Sequence, residues 1–237
     1  MTNASNICSH TGRTDRPAGV ERVGDCLLRA AGPWSDSVQA LLRHLWARGL
    51  DWVPEPRGRA LDGREAVAFL ESEVPAYPMP GWVWDDAVLV DAGRRLRELH
   101  DATLDFDLAG RCWRMPVHEP VEVVCHNDFA TYNFAFRDRV LVGVIDWDTA
   151  SPGPRVWDAA YLAYRLVPLA APGNPDALAS SAAERARRLR LLCAEYGGLK
   201  PGDVVATAAR RLDELMALGR DVEIYAADAA HLRSGRA

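Results

Sequence analysis

The apolar positions of this chain change period twice along its length. Residues 20–23 and 26–29 are two short runs around Gly24-Asp25, the pattern of a hairpin with a tight turn. Val38, Leu41, Leu42, Leu45 and Trp46 then recur at i, i+3, i+4, i+7 and i+8, which predicts an amphipathic helix. Ser35 is placed to cap it and Gly49 to end it. Residues 53–70 return to a strand pattern, a second hairpin turning at Asp62-Gly63 with residues 66–70 as a buried strand. Pro75, Pro78 and Pro80 interrupt every periodicity and mark a boundary.

Beyond the prolines the pattern is mainly helical. Val88, Ala92, Leu96 and Leu99 share one face of a helix expected over 85–103. The β-branched runs at 121–125 and 140–145 read as strands. Helices resume over 155–166, 180–196 and 204–218. The order predicts an α+β fold in two lobes. Residues 1–19 are a flexible tail, 20–74 a reduced β-rich lobe, and 75–237 a mainly helical lobe.

Composition narrows the class. Of 237 residues, 49% are hydrophobic and 26% charged, which excludes a disordered or fibrous chain. Net charge is −5 and the basic residues are interspersed with acids, so no nucleic-acid patch is expected. Five cysteines without a CxxC spacing form neither a disulfide framework nor a zinc site. No apolar leader or membrane-length apolar window is present, so a cytoplasmic protein that does not span a membrane is expected. Of 28 basic residues only Lys200 is a lysine, which excludes mechanisms that need one earlier in the chain.

The chemistry gathers in CHNDFATYN, residues 125–133, and VLVGVIDWDTASPGPRVWDAAY, residues 140–161. A loop carboxylate, Asp128, is followed five residues later by an amide, Asn133; a second carboxylate, Asp146, ends an apolar strand. These are the parts phosphoryl transfer needs. One carboxylate takes the proton of an acceptor hydroxyl, while an amide oxygen and another carboxylate hold a divalent metal against phosphates.

These segments resemble the catalytic and metal-binding loops of the aminoglycoside phosphotransferase family, in a bacterial branch close to trifolitoxin-immunity-type proteins. The resemblance extends more weakly through RRLRELHDAT and LLRHLWARGL…GREAVAFL, covering most of residues 20–170. It implies a protein-kinase-like two-lobed fold with a reduced N-terminal lobe. It also implies Mg2+-dependent transfer of the γ-phosphate of ATP or GTP to a hydroxylated small molecule or peptide, antibiotics among them. By position, Asp128 resembles the base, Asn133 and Asp146 the metal ligands, and Asp158 the buried brace of the loop. His126 resembles a structural histidine. The backbone at Glu71, where the lobes join, would contact the nucleotide base. The family's small-lobe lysine is absent, and Arg29 stands in for it. The family's partner glutamate is missing from the following helix, where Asp36 is the only substitute. No glycine-rich loop is recognisable.

Two other readings compete. A shortened lobe is compatible with a kinase-like binding or immunity protein without useful catalysis. Asp146-x-Asp148-Thr149, with Lys200 later, also resembles the first motif of haloacid-dehalogenase-type phosphatases, in which Asp146 would be the nucleophile. Elsewhere packing explanations prevail. Cys125 reads as a buried thiol, His100 as a hydrogen-bonded core residue, Trp147 as core, and the 185–190 arginine run as a solvated helix face.

Overall fold

The computed structural model describes residues 19–235. The tail expected over 1–19 therefore lies, Gly19 apart, outside the described residues. The chain begins with β1 (Glu21–Val23) and β2 (Cys26–Arg29), joined through Gly24 at φ 64°, a left-handed turn position that glycine fills without strain. Helix α1 (Ser35–Ala47) crosses to β3 (Pro56–Arg59) and β4 (Glu65–Ala68), and the sheet order is β1-β2-β4-β3. Ser35 is the first helical residue rather than a cap. Its hydroxyl accepts from Gly32 N–H and donates to the Glu65 carboxylate.

The second lobe opens with α2 (Asp86–Ala102). Strand β5 (Val123–Cys125) pairs antiparallel with β8 (Ser151–Gly153), and β6 (Phe134–Arg137) with β7 (Val140–Val144). Four helices follow: α3 (Arg155–Leu166), α4 (Ala182–Tyr196), α5 (Pro201–Ala217) and α6 (Val222–Arg233). Helix α2 packs on α4, and α5 lies between α3 and α6. One hydrophobic core joins Leu41 and Leu45 of α1, Leu96 and Leu99 of α2, Phe134 and Phe136 of β6, and Leu212 of α5. The result is a protein-kinase-like fold, a small sheet-rich N-terminal part on a helical one. Every strand pairing among the described residues is antiparallel, and after β8 the described chain is helical, with no run of βα units. That architecture does not match the parallel sheet the phosphatase reading requires.

The arginine run departs from a solvated face at one position. Arg188 is buried and donates to the carbonyls of Trp84 and Leu166 and to Asp86, tying α4 to the start of α2. Trp147 is buried core, its indole donating to Val144 O.

The lobes meet along a short seam. Glu73 exchanges both backbone hydrogen bonds with Phe136, at 2.8 and 2.7 Å, and Val144 N–H donates to Trp52 O at 3.2 Å. Gly143 sits at this seam because nothing larger fits. A Cβ there would come within 2.4 Å of Leu70 Cδ2 and 2.9 Å of the Trp52 carbonyl. Gly143→Ala is therefore expected to destabilise the chain by about 1–3 kcal/mol through overpacking. Denaturant unfolding should give a lower midpoint at unchanged slope; an unshifted midpoint would show the seam to be yielding.

Candidate functional site

The loop between β5 and β6 is built on one carboxylate. Asp158, in the first turn of α3, is fully buried and accepts from His126 N–H at 2.7 Å and Asn127 N–H at 3.0 Å. Its third partner is His100 Nε2 of α2 at 3.3 Å. Burial alone would raise this carboxyl, but the His100 hydrogen bond, with the loop N–H donors, holds it below the ordinary carboxylate range. His100 Nδ1 is then left to accept from the Tyr196 hydroxyl at 2.6 Å. His100, Cys125 and Asp158 lie within 4.8 Å of one another, a spacing open to a metal. Here both polar side chains are spent on the loop and on Tyr196, while burial pushes the Cys125 thiol far up, so the cluster reads as a brace.

Two further bonds set the loop. His126 Nε2 donates to Ile145 O at 3.1 Å, so Nδ1 is the acceptor for Asp128 N–H at 3.2 Å. That pairing selects the neutral Nε2–H tautomer. Asn127 adopts φ 63°, and its side-chain amide donates to Thr149 O and Ser151 Oγ. Arg211 of α5, itself buried, donates to Asn127 O.

Asp128 is thereby presented with both carboxylate oxygens engaged. The Tyr132 hydroxyl donates to Oδ1 at 2.6 Å, and Asn133 Nδ2 donates to Oδ2 and to Asp128 O, each at 2.9 Å. Burial, with the charge of Asp128 beside it, pushes the Tyr132 phenol well above its ordinary range, so Tyr132 remains a donor. Asn133 uses its nitrogen on Asp128, which leaves its amide oxygen for another partner. Ile145 N–H donates to Asn133 O at 2.9 Å, setting Asn133 next to Asp146.

Asp146, two residues beyond β7, adopts a left-handed conformation, φ 61°, with its side chain half exposed. Arg29 Nη1 lies 3.7 Å from Asp146 Oδ1, Arg29 Nη2 2.6 Å from Asp148 Oδ1, and Arg29 Nε 3.1 Å from Glu65 Oε2. Burial works against the charge of the Arg29 guanidinium, yet the acids around it, Asp148 foremost, hold it above its ordinary range. Burial raises the Asp148 carboxyl, aided by Asp146 and Glu65, although Arg29 opposes the rise. The donor set here, the Asn133 amide oxygen and the Asp146 carboxylate, is the hard oxygen chemistry that suits Mg2+.

The missing helix glutamate has a replacement on a strand. Glu65 is directly across from Arg29 in the β2–β4 register, and α1 serves it through Ser35 at 3.1 Å and Gln39 at 3.1 Å. Asp36 instead pairs with Arg59 at the surface. Glu71 lies in the joining segment, where its carbonyl accepts from Arg137 at 3.0 Å. Motif spacing did not point to Glu65 or Tyr132, and it singled out Asp148 only within the phosphatase reading. Glu65 was reachable only by pairing the two predicted hairpins in register.

A family model described as the phosphotransferase enzyme family, APH, matches residues 73–201. The chain belongs to that family. The chain is 37% identical over 140 residues to the trifolitoxin immunity protein of Rhizobium leguminosarum bv. trifolii, a match covering 56% of this chain and 52% of that protein. It thus spans about half the length of that curated relative. Among solved structures it resembles an amicoumacin kinase in complex with AMP-PNP, Ca2+ and Ami (TM-score 0.61, 10% identity, 92% and 88% of the two chains covered). It also resembles the ADP-bound aminoglycoside phosphotransferase APH(2'')-Ib (TM-score 0.58, 15% identity, 90% of each chain). At these identities the likeness is one of fold.

Because the folded Asp158 carboxyl sits below its unfolded value, its contribution is complete above the unfolded pKa of about 3.9 and is lost as pH falls through the folded one. Asp158→Asn is expected to cost about 3 kcal/mol near neutrality, since two loop N–H groups lose a charged acceptor. It should also flatten the acid limb of the stability profile. Urea unfolding at a series of pH values below 6 measures both; a variant with the wild-type acid limb would remove Asp158 from this role.

Proposed function

We propose that this phosphotransferase moves the γ-phosphoryl group of ATP or GTP to a hydroxyl of a small molecule or peptide, in the cytoplasm and with Mg2+. One observation carries the reading. Asp128 is gripped through both oxygens by Tyr132 and Asn133, and the Asn133 carbonyl accepts from Ile145 N–H, one residue before the Asp146 that faces Arg29. The AMP-PNP and ADP named with the two solved neighbours support a nucleotide donor. Among the described residues no helix is long and apolar enough to cross a membrane.

Each residue has a distinct task in this reading. Asp128 orients the acceptor hydroxyl and accepts its proton as the new oxygen–phosphorus bond forms. Asn133 through its amide oxygen and Asp146 through its carboxylate would hold Mg2+, which supplies neutralisation of phosphate charge. Arg29, charged at every working pH, donates to phosphate oxygens, while Glu65 fixes its direction. The backbone at Glu71 borders the nucleotide base where the lobes join. Asp158 acts on none of the reacting atoms; it keeps the loop that carries Asp128 in place.

A second reading, a binder of the immunity type, draws on the same arginine. Arg29 is already committed to Asp148 and Glu65, so phosphate must compete with carboxylates for it. The name of the curated relative points the same way.

Asp128→Ala is expected to lower acceptor-dependent nucleotide consumption by about 10²- to 10⁴-fold, with the melting temperature and Mg-nucleotide affinity nearly unchanged. Arg29→Gln should do the converse, weakening Mg-nucleotide binding about tenfold or more. Calorimetric titration with Mg-ATP and Mg-GTP, followed by turnover against a panel of hydroxylated acceptors, reads both. Full activity in Asp128→Ala would overturn the assignment, and absence of binding at millimolar nucleotide would favour the binder.

A further inference from the structure

One turn of the chain organises two cations against the two oxygens of Asp148. The connection from β2 to α1 carries Arg29 at its start and Trp34 at its end. Trp34 folds back over Gly32, where a missing side chain makes the room: a Cβ there would fall 2.5 Å from the indole. Arg114, from the segment between α2 and β5, stacks on the same side chain, its guanidinium carbon 4.9 Å from the ring centre. That segment is tied down on both sides of Arg114. Cys112 N–H donates to Ser37 Oγ of α1 at 2.9 Å, and Ser151 Oγ of β8 donates to Pro116 O at 2.8 Å.

The two guanidiniums differ in what they have left to give. All three nitrogens of Arg29 face carboxylates: Nε faces Glu65, Nη1 Asp146 and Nη2 Asp148. Arg114 faces one. Its Nη1 stands 3.8 Å from Asp148 Oδ2, the oxygen that Arg29 does not take, an ion pair too long to be a hydrogen bond. Among the described residues the Arg114 guanidinium donates no hydrogen bond. An arginine that serves as a strut spends its donors, as Arg188 and Arg211 do on backbone carbonyls. Stacking occupies the face of a guanidinium and leaves its edge, where the five N–H groups lie in one plane. Trp34 fixes that plane, and the side chain keeps one-fifth of its surface open.

We propose that Arg114 is a second phosphate-binding residue of the nucleotide site, working with Arg29 across Asp148. This rests on the kinase reading and deepens it, by naming how a chain without a small-lobe lysine completes its phosphate contacts. Glu65, Asp146 and Asp148 all draw on Arg29, so a polyphosphate shares that cation with three acids. Arg114 brings a second fork whose donors are unspent, and a planar fork matches two oxygens of one phosphate.

Calorimetric titration of the full chain with Mg-ATP and Mg-GTP tests this, beside the melting temperature of each variant. Arg114→Met keeps an unbranched stem against Trp34 and removes the charge; Arg114→Lys keeps the charge and removes the fork. The better-bound nucleotide is expected to lose about tenfold or more in affinity in Arg114→Met, as loss of a charge-assisted contact requires, with the melting temperature nearly unchanged. Arg114→Lys should recover part of that loss, remaining about threefold weaker than wild type. A strut predicts the converse, a lowered melting temperature at wild-type affinity. Wild-type affinity in Arg114→Met, or equal losses in both variants, overturns the proposal and leaves the kinase reading standing. If Arg114→Met does not fold, Arg114→Lys decides alone, and wild-type affinity there overturns the proposal. A wild-type chain that binds neither nucleotide sinks the kinase reading and this proposal together.

Discussion

Asp158 has no water to solvate it, and that constraint organises the larger lobe. A fully buried carboxylate holds its charge only if the surroundings supply donors with good geometry. The chain supplies them from two directions: backbone N–H groups of His126 and Asn127, and the His100 ring from α2. Each donor is itself fixed by a second partner. His100 leans on Tyr196 of α4, and Asn127 is held by Ser151 and by Arg211 of α5. Helices α2, α3, α4 and α5 therefore converge through polar groups on a loop a few residues long. The apolar packing of those helices is what makes the loop rigid, so stability and site geometry are properties of the same contacts.

The smaller lobe solves a related problem by other means. In the family pattern a helix glutamate orients the phosphate-binding cation, which ties the site to the position of that helix. Here Arg29 and Glu65 face each other on neighbouring antiparallel strands. The distance between them is set by sheet register, which cannot slip by one residue without turning every side chain over. Helix α1 supports the pair through Ser35 and Gln39 rather than by contributing the acid. The exchange of lysine for arginine fits this arrangement. A forked guanidinium reaches Glu65 with Nε and Asp148 with Nη2 at once, a span that a single ammonium does not bridge.

Most of the fold was legible because its signals are local. The helices over Ser35–Ala47, Asp86–Ala102 and Arg155–Leu166 follow from apolar periodicity, and both small-lobe hairpins follow from their turn residues. Asp128, Asn133 and Asp146 were visible because the loop and the strand end carry them at short spacing. What was hidden depends on separation along the chain. Glu65 is 36 residues from Arg29, and only the pairing of β2 with β4 brings them together. The 185–190 run misled in the opposite way, because composition cannot tell which arginine of a helix, here Arg188, turns inward to meet stray carbonyls.

Charge balance connects these features to the donor. Glu65, Asp146 and Asp148 crowd around Arg29, with Arg114 a further 3.8 Å from Asp148, so acids outnumber cations where phosphates would have to lie. A bare polyphosphate approaching that surface adds like charge to like charge. Burial raises the Asp148 carboxyl first of all, and the neighbouring Asp146 and Glu65 add to the rise. On the proposed reading, a nucleotide accompanied by a divalent cation would reverse the sign of the encounter, with Asp146 and the Asn133 amide as the groups that would hold the cation and Arg29 as the donor to phosphate. On that reading the acidic excess around Arg29 would favour a metal-loaded nucleotide over a free one, and a small lobe without a lysine would hold phosphate through a single arginine.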